Sequence, residues 1–264
     1  MNNISIIIPI HEYSEENVTL LKNAISTVPN GYGIVISTPS SIVADFAEGF
    51  GDNIRIVSNT DSTKFADLVN TAVDMIDTDW FSILEFDDEY TNIWFPNVET
   101  YMKEMPDVSV FMPLEDMMEY DTKKYIGFGN EAAWASAFSN EIGYIDNECL
   151  QNYFDFYLTG SIFNTNDWKE VGGLKPSIKI TFWYEFLLRL TNKNKKAFVI
   201  PKVGYNHYFN RENSLTNIYR NNISKAETEW WFDLAKKDYF FKEEKEASYY
   251  VFDETKIKSD EDDE

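Results

Sequence analysis

Cysteine, long apolar runs and positive charge are all scarce in this sequence. The single cysteine, Cys149, excludes an intramolecular disulfide, fits a reducing compartment and is expected to be a buried bystander thiol. No stretch approaches the ~20 consecutive apolar residues that a membrane-spanning helix needs. The first residues carry neither the basic leader nor the long apolar region of a signal peptide. These absences predict a cytoplasmic protein that does not span a membrane.

Acidic residues outnumber basic ones by 45 to 23, which gives a formal net charge of −22. A field of this sign repels phosphate backbones and anionic membrane surfaces, so it disfavours nucleic acids and membranes as partners. A nucleotide diphosphate could still bind to such a protein if a divalent cation lay between the two.

The composition indicates that most of the chain folds. Hydrophobic residues make up 44% of the 264 residues, which is enough for one large α/β domain. The exception is the segment 253–264, where seven acids and two lysines give a net charge of −5 and Ile257 is the one apolar residue. We expect this segment to be a disordered acidic tail.

The first half of the chain alternates short apolar strands with amphipathic helices. The pattern predicts strands over 4–8, 34–36, 54–57 and 80–84, and helices after Ser14, over 42–46 and over 64–76. This order builds a parallel sheet, in which ligands bind beyond the carboxyl ends of the strands.

The second half is less regular. Strands are predicted over 108–112, 158–163 and 197–200, and helices over 165–171, 180–190 and 224–241. The polar and aromatic stretch 115–151 has little periodicity and is interpreted as loops or a lid.

The fourth predicted strand runs directly into the acids Glu85, Asp87 and Asp88. On an extended backbone Glu85 and Asp87 would point the same way and repel each other unless a hard cation such as Mg²⁺ or Mn²⁺ joined them. Such a cation would also stabilise a departing diphosphate. The alternative is a solvated turn after a strand, where acids are common.

Three motifs resemble the nucleotide-binding half of the inverting GT-A glycosyltransferases, of the family 2 type: ISIIIPI at 4–10, FADLVNTA at 65–72 and WFSILEFDD at 80–88. Three later motifs resemble the acceptor half: LTGSIF at 158–163, WKEVGG at 168–173 and YEFLLRL at 184–190. The resemblance implies a GT-A, Rossmann-like, mainly parallel mixed sheet flanked by helices. It divides the chain into a domain over 1–222, with a donor half (1–114) and an acceptor half (115–222), a C-terminal helix over 223–252 and the tail.

The implied activity is metal-dependent transfer of a hexosyl or pentosyl group, with inversion, from a nucleotide-diphosphate sugar to an acceptor hydroxyl. Mn²⁺ or Mg²⁺ would be the cofactor, with Asp87, Asp88 and His207 as its ligands. The residues expected along the donor are Pro9, His11, Glu12, Asn70, Glu85, Asp88 and Arg211. A carbohydrate is the expected acceptor, and a modified DNA base of a phage is the open alternative. His11 and His207 could instead be structural, and Arg211 could form a salt bridge.

The motifs also depart from the family. The second strand ends in Ser37 where an Asp is usual, which leaves the nucleotide open. Phe182 and Trp183 stand where a Glu-Asp pair usually supplies the catalytic base, so Glu185 becomes the candidate base. Its alternative role is an ion pair with Arg189, four residues on.

The missing pair favours a second hypothesis, a catalytically inactive GT-A-like binding or structural protein. A nucleotidyltransferase is disfavoured, because no glycine-rich phosphate loop follows the first strand.

Overall fold

The computed structural model of the chain describes residues 4–46, 50–51, 53–58, 61–138, 141–222 and 225–240. The strands in this part are β1 (Ile4–Pro9), β2 (Gly33–Ser37), β3 (Ile54–Val57), β4 (Trp80–Ile83), β5 (Glu89–Tyr90), β6 (Val108–Glu119), β7 (Tyr125–Gly129), β8 (Tyr144–Ile145), β9 (Ile162–Asn164) and β10 (Lys196–Phe209). The helices are α1 (Glu15–Ser26), α2 (Phe65–Asp74), α3 (Trp94–Glu104), α4 (Asn147–Asn152), α5 (Thr165–Val171), α6 (Phe182–Asn192), α7 (Leu215–Asn222) and α8 (Lys225–Phe240). Short 3₁₀ helices cover Ser40–Phe46 and Glu131–Trp134.

One mixed, mainly parallel sheet organises the described residues. Its strand order is β3-β2-β1-β4-β9-β6-β10-β5, with β7 added on β6 and β8 on β10. The first four strands run parallel, and β10 runs parallel to β6, while β9 inserts antiparallel between β4 and β6. The predicted fold class, an α/β mixed sheet flanked by helices, is confirmed.

The central strand β1 is buried on both faces, as its mostly apolar sequence predicted. Ile7 packs in a cluster with Val69 of α2, whereas Ile6 and Ile8 pack in a second cluster with Leu21 of α1. Because side chains alternate along a strand, one short apolar run supplies both layers of the core.

The predicted elements of the first half are all present within a few residues. The Ser14 side chain accepts a hydrogen bond from the backbone of Asn17 at 3.0 Å and caps α1, as expected of an N-cap serine.

The interpretation of 115–151 as loops or a lid is wrong. This stretch contains the end of β6, all of β7 and β8, and most of the helix α4. The far half of β6 is only partly buried, so its pattern is not apolar; pairing with β10 and β7 stabilises it instead. Helices α3 and α7 were likewise not predicted.

The helix α8 occupies part of the predicted C-terminal helix of 223–252. The remainder of that range beyond residue 240, and the acidic segment 253–264, lie outside the described residues, so the tail stays a prediction. Among the residues described, none of the helices combines the length and apolar character of a membrane span.

Candidate active site

The acidic motif forms a turn at the carboxyl end of β4. The backbone N–H of Asp88 donates to the carbonyl of Glu85 at 3.1 Å, which closes the turn. A turn of this kind brings residues three apart together, whereas an extended strand would align residues two apart. Glu85 therefore converges with Asp88, whereas Asp87 is not among the ligand atoms that gather there.

Strand β10 completes a cluster with metal-ligating potential. The ligand atoms of Glu85, Asp88 and His207 all lie within 4.8 Å of one another. Two backbone contacts fix the arrangement: Glu85 N–H donates to the Tyr205 hydroxyl at 3.0 Å, and Tyr208 N–H donates to Asp88 Oδ1 at 2.8 Å. The turn after β4 is thus held in register with β10.

The cluster fits a divalent cation. Asp88 is 2% exposed, and its Oδ2 has no hydrogen-bond partner among the described residues. A buried carboxylate oxygen left in this state is costly, and a cation would satisfy it. Two carboxylates and an imidazole are an acceptable donor set for Mn²⁺ or a similar ion. Of the predicted ligands, Asp88 and His207 are in the cluster, and Glu85 stands where Asp87 was expected.

The electrostatics of the cluster reflect crowded and buried carboxylates. Loss of hydration, together with the charge of Asp87, raises the pKa of Glu85 to about 7, and burial raises the pKa of Asp88 well above its usual value. Burial lowers the pKa of His207, but Asp88 and Glu115 outweigh it and raise this pKa to about 10. Raised pKa values mean that bound protons relieve the repulsion between these carboxylates. A bound cation would relieve the same repulsion and displace those protons.

Asp87 has a different partner. Its Oδ2 accepts a hydrogen bond from Arg211 Nε at 2.6 Å, in a largely buried ion pair. The Arg211 guanidinium also lies 5.0 Å from the centre of the Phe86 ring. Asp87, which was predicted to be a metal ligand, therefore lies beside the cluster and not in it. Arg211 forms a salt bridge, which was the alternative role predicted for it.

Two pockets formed by described residues flank the turn, and Glu85 and Asp87 line both of them. The larger encloses about 140 Å³, and His207 is also part of its wall. Its aromatic wall consists of Phe154, Phe156, Tyr157, Phe182, Trp183, Tyr184, Tyr208, Phe209, Tyr219 and Phe232. The smaller encloses about 60 Å³ and includes Pro9, His11 and Arg211.

The predicted donor residues separate into two groups. His11 lines the smaller pocket, and its Nε2 is buried without a partner among the described residues. Burial lowers the pKa of His11, so the imidazole is neutral near pH 7. Glu12, in contrast, is exposed and lines neither pocket.

Asn70 has a structural role in place of the predicted donor contact. Its side chain donates to the carbonyl of Leu174 at 2.8 Å and accepts from the backbone N–H of Leu174 at 3.0 Å. Both polar atoms are thus used to join α2 to the segment after α5.

Glu185 also has a structural role, which corrects its assignment as the catalytic base. It is 3% exposed, and its two oxygens accept from Arg189 Nε at 2.6 Å and Nη2 at 2.8 Å. Arg189 further donates to the carbonyls of Val171 and Gly173. Glu185 does not line either pocket, because α6 turns this side chain towards α5.

Sequence reasoning missed Glu115, which is fully buried and whose Oε2 lies 3.2 Å from His207 Nδ1. Extending the predicted strand 108–112 to the true end of β6 would have placed it in the sheet beside β10. Tyr205, whose hydroxyl holds the backbone of Glu85, had no sequence signal of its own.

No protein-family model matches the sequence, and no curated protein matches it either. Among solved structures, TarS 1-349 from Staphylococcus aureus in complex with UDP-GlcNAc matches 92% of this chain and 68% of that chain, with a TM-score of 0.62 and 13% identity. A second structure of TarS 1-349 matches 79% of this chain and 60% of that one (TM-score 0.55, 14% identity). A structure of TarS matches 92% of this chain and 41% of that chain, with a TM-score of 0.60 and 15% identity. The chain therefore spans only part of each TarS chain. The resemblance to a GT-A glycosyltransferase is confirmed at the level of the fold: this chain has the GT-A fold.

Proposed function

We propose that the chain is a metal-dependent glycosyltransferase that moves a sugar from a nucleotide-diphosphate donor to a hydroxyl acceptor, with inversion at the anomeric carbon. The observation that carries the proposal is the group of Glu85, Asp88 and His207, gathered within 4.8 Å at a strand end of a GT-A fold and bordering a pocket. In open α/β sheets ligands bind beyond the carboxyl ends of the strands, where this group lies.

The donor diphosphate would lie against the turn after β4. Glu85, Asp88 and His207 would hold a Mn²⁺ or Mg²⁺ ion, which, when bound, offsets the charge that develops on the departing diphosphate. Arg211 in the smaller pocket adds a guanidinium whose planar donors match phosphate oxygens.

The nucleotide would extend into the smaller pocket. There the neutral imidazole of His11 presents a buried Nε2 that needs a hydrogen-bond partner. Because the related fold of TarS was solved with UDP-GlcNAc, a UDP-sugar is the first donor to test.

The acceptor would enter the larger pocket. Phe182 and Trp183 at the start of α6 belong to its wall, and flat aromatic faces suit the apolar faces of sugar rings as well as planar bases. A carbohydrate acceptor, or a modified base, would meet the donor above Glu85.

Isothermal titration calorimetry with UDP-GlcNAc, in Mn²⁺ and in EDTA, tests the metal role. We expect Mn²⁺ to tighten binding by about tenfold or more, which is about 1.4 kcal/mol, and Asp88→Asn to remove that gain. Asp79→Asn is the matched control, since Asp79 is exposed just before the opposite end of β4. Equal affinity in Mn²⁺ and in EDTA for the unaltered protein would refute the metal role.

A second candidate function is a GT-A-like binding protein without catalysis. It is favoured by the ion pairs that occupy Asp87 and Glu185, and by the aromatic residues at the start of α6. Such a protein would bind the nucleotide sugar but release no nucleotide over many hours.

A further inference from the structure

Sugar transfer to a hydroxyl needs a group that removes the hydroxyl proton as the new bond forms. Identifying this group assumes the proposed function, glycosyl transfer. It must lie on the acceptor side of the donor, accept a proton and reach the pocket.

Most carboxylates near the site are already occupied. Glu185 is buried in its pair with Arg189, and Asp87 is held by Arg211. Glu85 and Asp88 belong to the proposed cation site, and Glu115 is fully buried behind His207. None of these five is placed to take a proton from an incoming acceptor.

Asp155 is placed differently. It lines the larger pocket together with Glu85 and Asp87, and it is exposed. Its neighbours Phe154 and Phe156 belong to the same aromatic wall, so an acceptor resting on that wall would meet the carboxylate.

The surroundings of Asp155 suit a proton acceptor. Its Oδ2 accepts one long hydrogen bond, at 3.3 Å, from the hydroxyl of Tyr157. The ring of Tyr157 in turn packs against the imidazole of His207, with 5.6 Å between the ring centroids, so Asp155 lies near the end of the site that contains His207. Asp155 thus combines access to solvent with nearness to the reacting centre.

We propose that Asp155 is the general base of the transfer. The acceptor oxygen forms a bond to the anomeric carbon while the bond from that carbon to the diphosphate oxygen breaks. The hydroxyl proton moves to the Asp155 carboxylate, and the electron pair of the broken bond leaves with the diphosphate. With water as acceptor, the same step yields free sugar and nucleoside diphosphate.

Hydrolysis of UDP-GlcNAc in Mn²⁺, followed as UDP release, measures this step without a known acceptor. Asp155→Asn and Asp155→Ala should lower the rate by about 10²- to 10⁴-fold, while the calorimetric affinity for UDP-GlcNAc stays within twofold of the unaltered protein. Asp121→Asn is the matched control, because Asp121 is exposed in the turn after β6 and lines neither pocket.

Added formate distinguishes a base from a structural residue. A small carboxylate can enter the space vacated in Asp155→Ala and should restore part of the rate, whereas it should not accelerate the unaltered protein. Normal hydrolysis by both Asp155 variants, or a loss that formate does not rescue, would overturn the assignment and leave the proposed function standing. Failure of the unaltered protein to bind or hydrolyse any of a panel of UDP- and GDP-sugars would overturn both.

Discussion

Arg189 is a buried cation that joins α6 to α5. Besides Glu185 it reaches the carbonyls of Val171 and Gly173, so one guanidinium satisfies groups on two helices and the Gly172-Gly173 turn. Such a group stabilises the fold only while its charge is paired.

Glu185→Gln removes the charge that pairs with Arg189 and should lower the free energy of unfolding by about 3–5 kcal/mol. Urea denaturation of the variant and of the unaltered protein measures this difference. The remaining folded protein should bind UDP-GlcNAc and hydrolyse it at a normal rate, because Glu185 lines neither pocket.

The double variant Glu185→Leu, Arg189→Met is the control for this prediction. Replacing both charges with apolar groups should recover much of the lost stability, since no unpaired charge remains. If Glu185→Gln instead keeps normal stability and loses turnover with donor binding intact, Glu185 is the base after all.

The segment just before β9 makes a close contact with β10 that positions the turn after β4. Gly160, two residues before β9, has a φ of +74° and donates to the carbonyl of Ile83 at 2.7 Å. A Cβ at this position would lie 2.5 Å from Cδ2 of Tyr205, the residue whose hydroxyl holds the backbone of Glu85. Glycine is therefore required here both for its backbone conformation and for its lack of a side chain.

Gly160→Ala should destabilise the protein by more than about 1 kcal/mol, because it combines a left-handed backbone with a clash. It should also weaken Mn²⁺-dependent donor binding, as Tyr205 is displaced from Glu85. Thermal denaturation and calorimetry measure the two effects. Gly33→Ala, where a Cβ meets nothing within 4 Å, should be tolerated; equal behaviour of the two variants would contradict the account.

The elements that sequence reasoning located well are those with a simple burial pattern. The strand β1 is apolar except for Ser5, and α2 has one apolar face, so each pattern identifies its element. The far half of β6 mixes polar with apolar residues, and β7 is mostly exposed, so neither shows a simple burial pattern; pairing with neighbouring strands, including the distant β10, decides their structure.

Within the site, the motif identified the correct turn but not the pairing of its side chains. Asp87 pairs with Arg211 and Asn70 with Leu174, partners separated by 124 and 104 residues. Contacts between such distant positions follow from the assembled sheet, and local spacing does not encode them. The prediction for Glu85 and Asp87 assumed an extended strand, in which every second side chain points the same way. This assumption does not apply, because the chain turns at Phe86 and Asp87.

At the scale of the whole molecule, a formal charge of −22 has to coexist with a proposed diphosphate ligand. The structure gathers two carboxylates and a histidine beside a pocket, with Arg211 close by. A divalent cation at this point would reverse the local sign of the field without changing the charge of the rest of the surface. The central claim is therefore that donor chemistry occurs there and needs the metal.

Release of UDP from UDP-GlcNAc and other nucleotide sugars, followed over time with Mn²⁺ and with EDTA, tests this claim most directly. We expect many molecules of UDP per molecule of protein in Mn²⁺ and a loss of release in EDTA that added Mn²⁺ restores. Asp88→Asn should abolish the release, and Asp79→Asn should leave it unchanged. Donor binding without any release, with or without Mn²⁺ and with candidate acceptors present, would contradict the account and favour the binding protein.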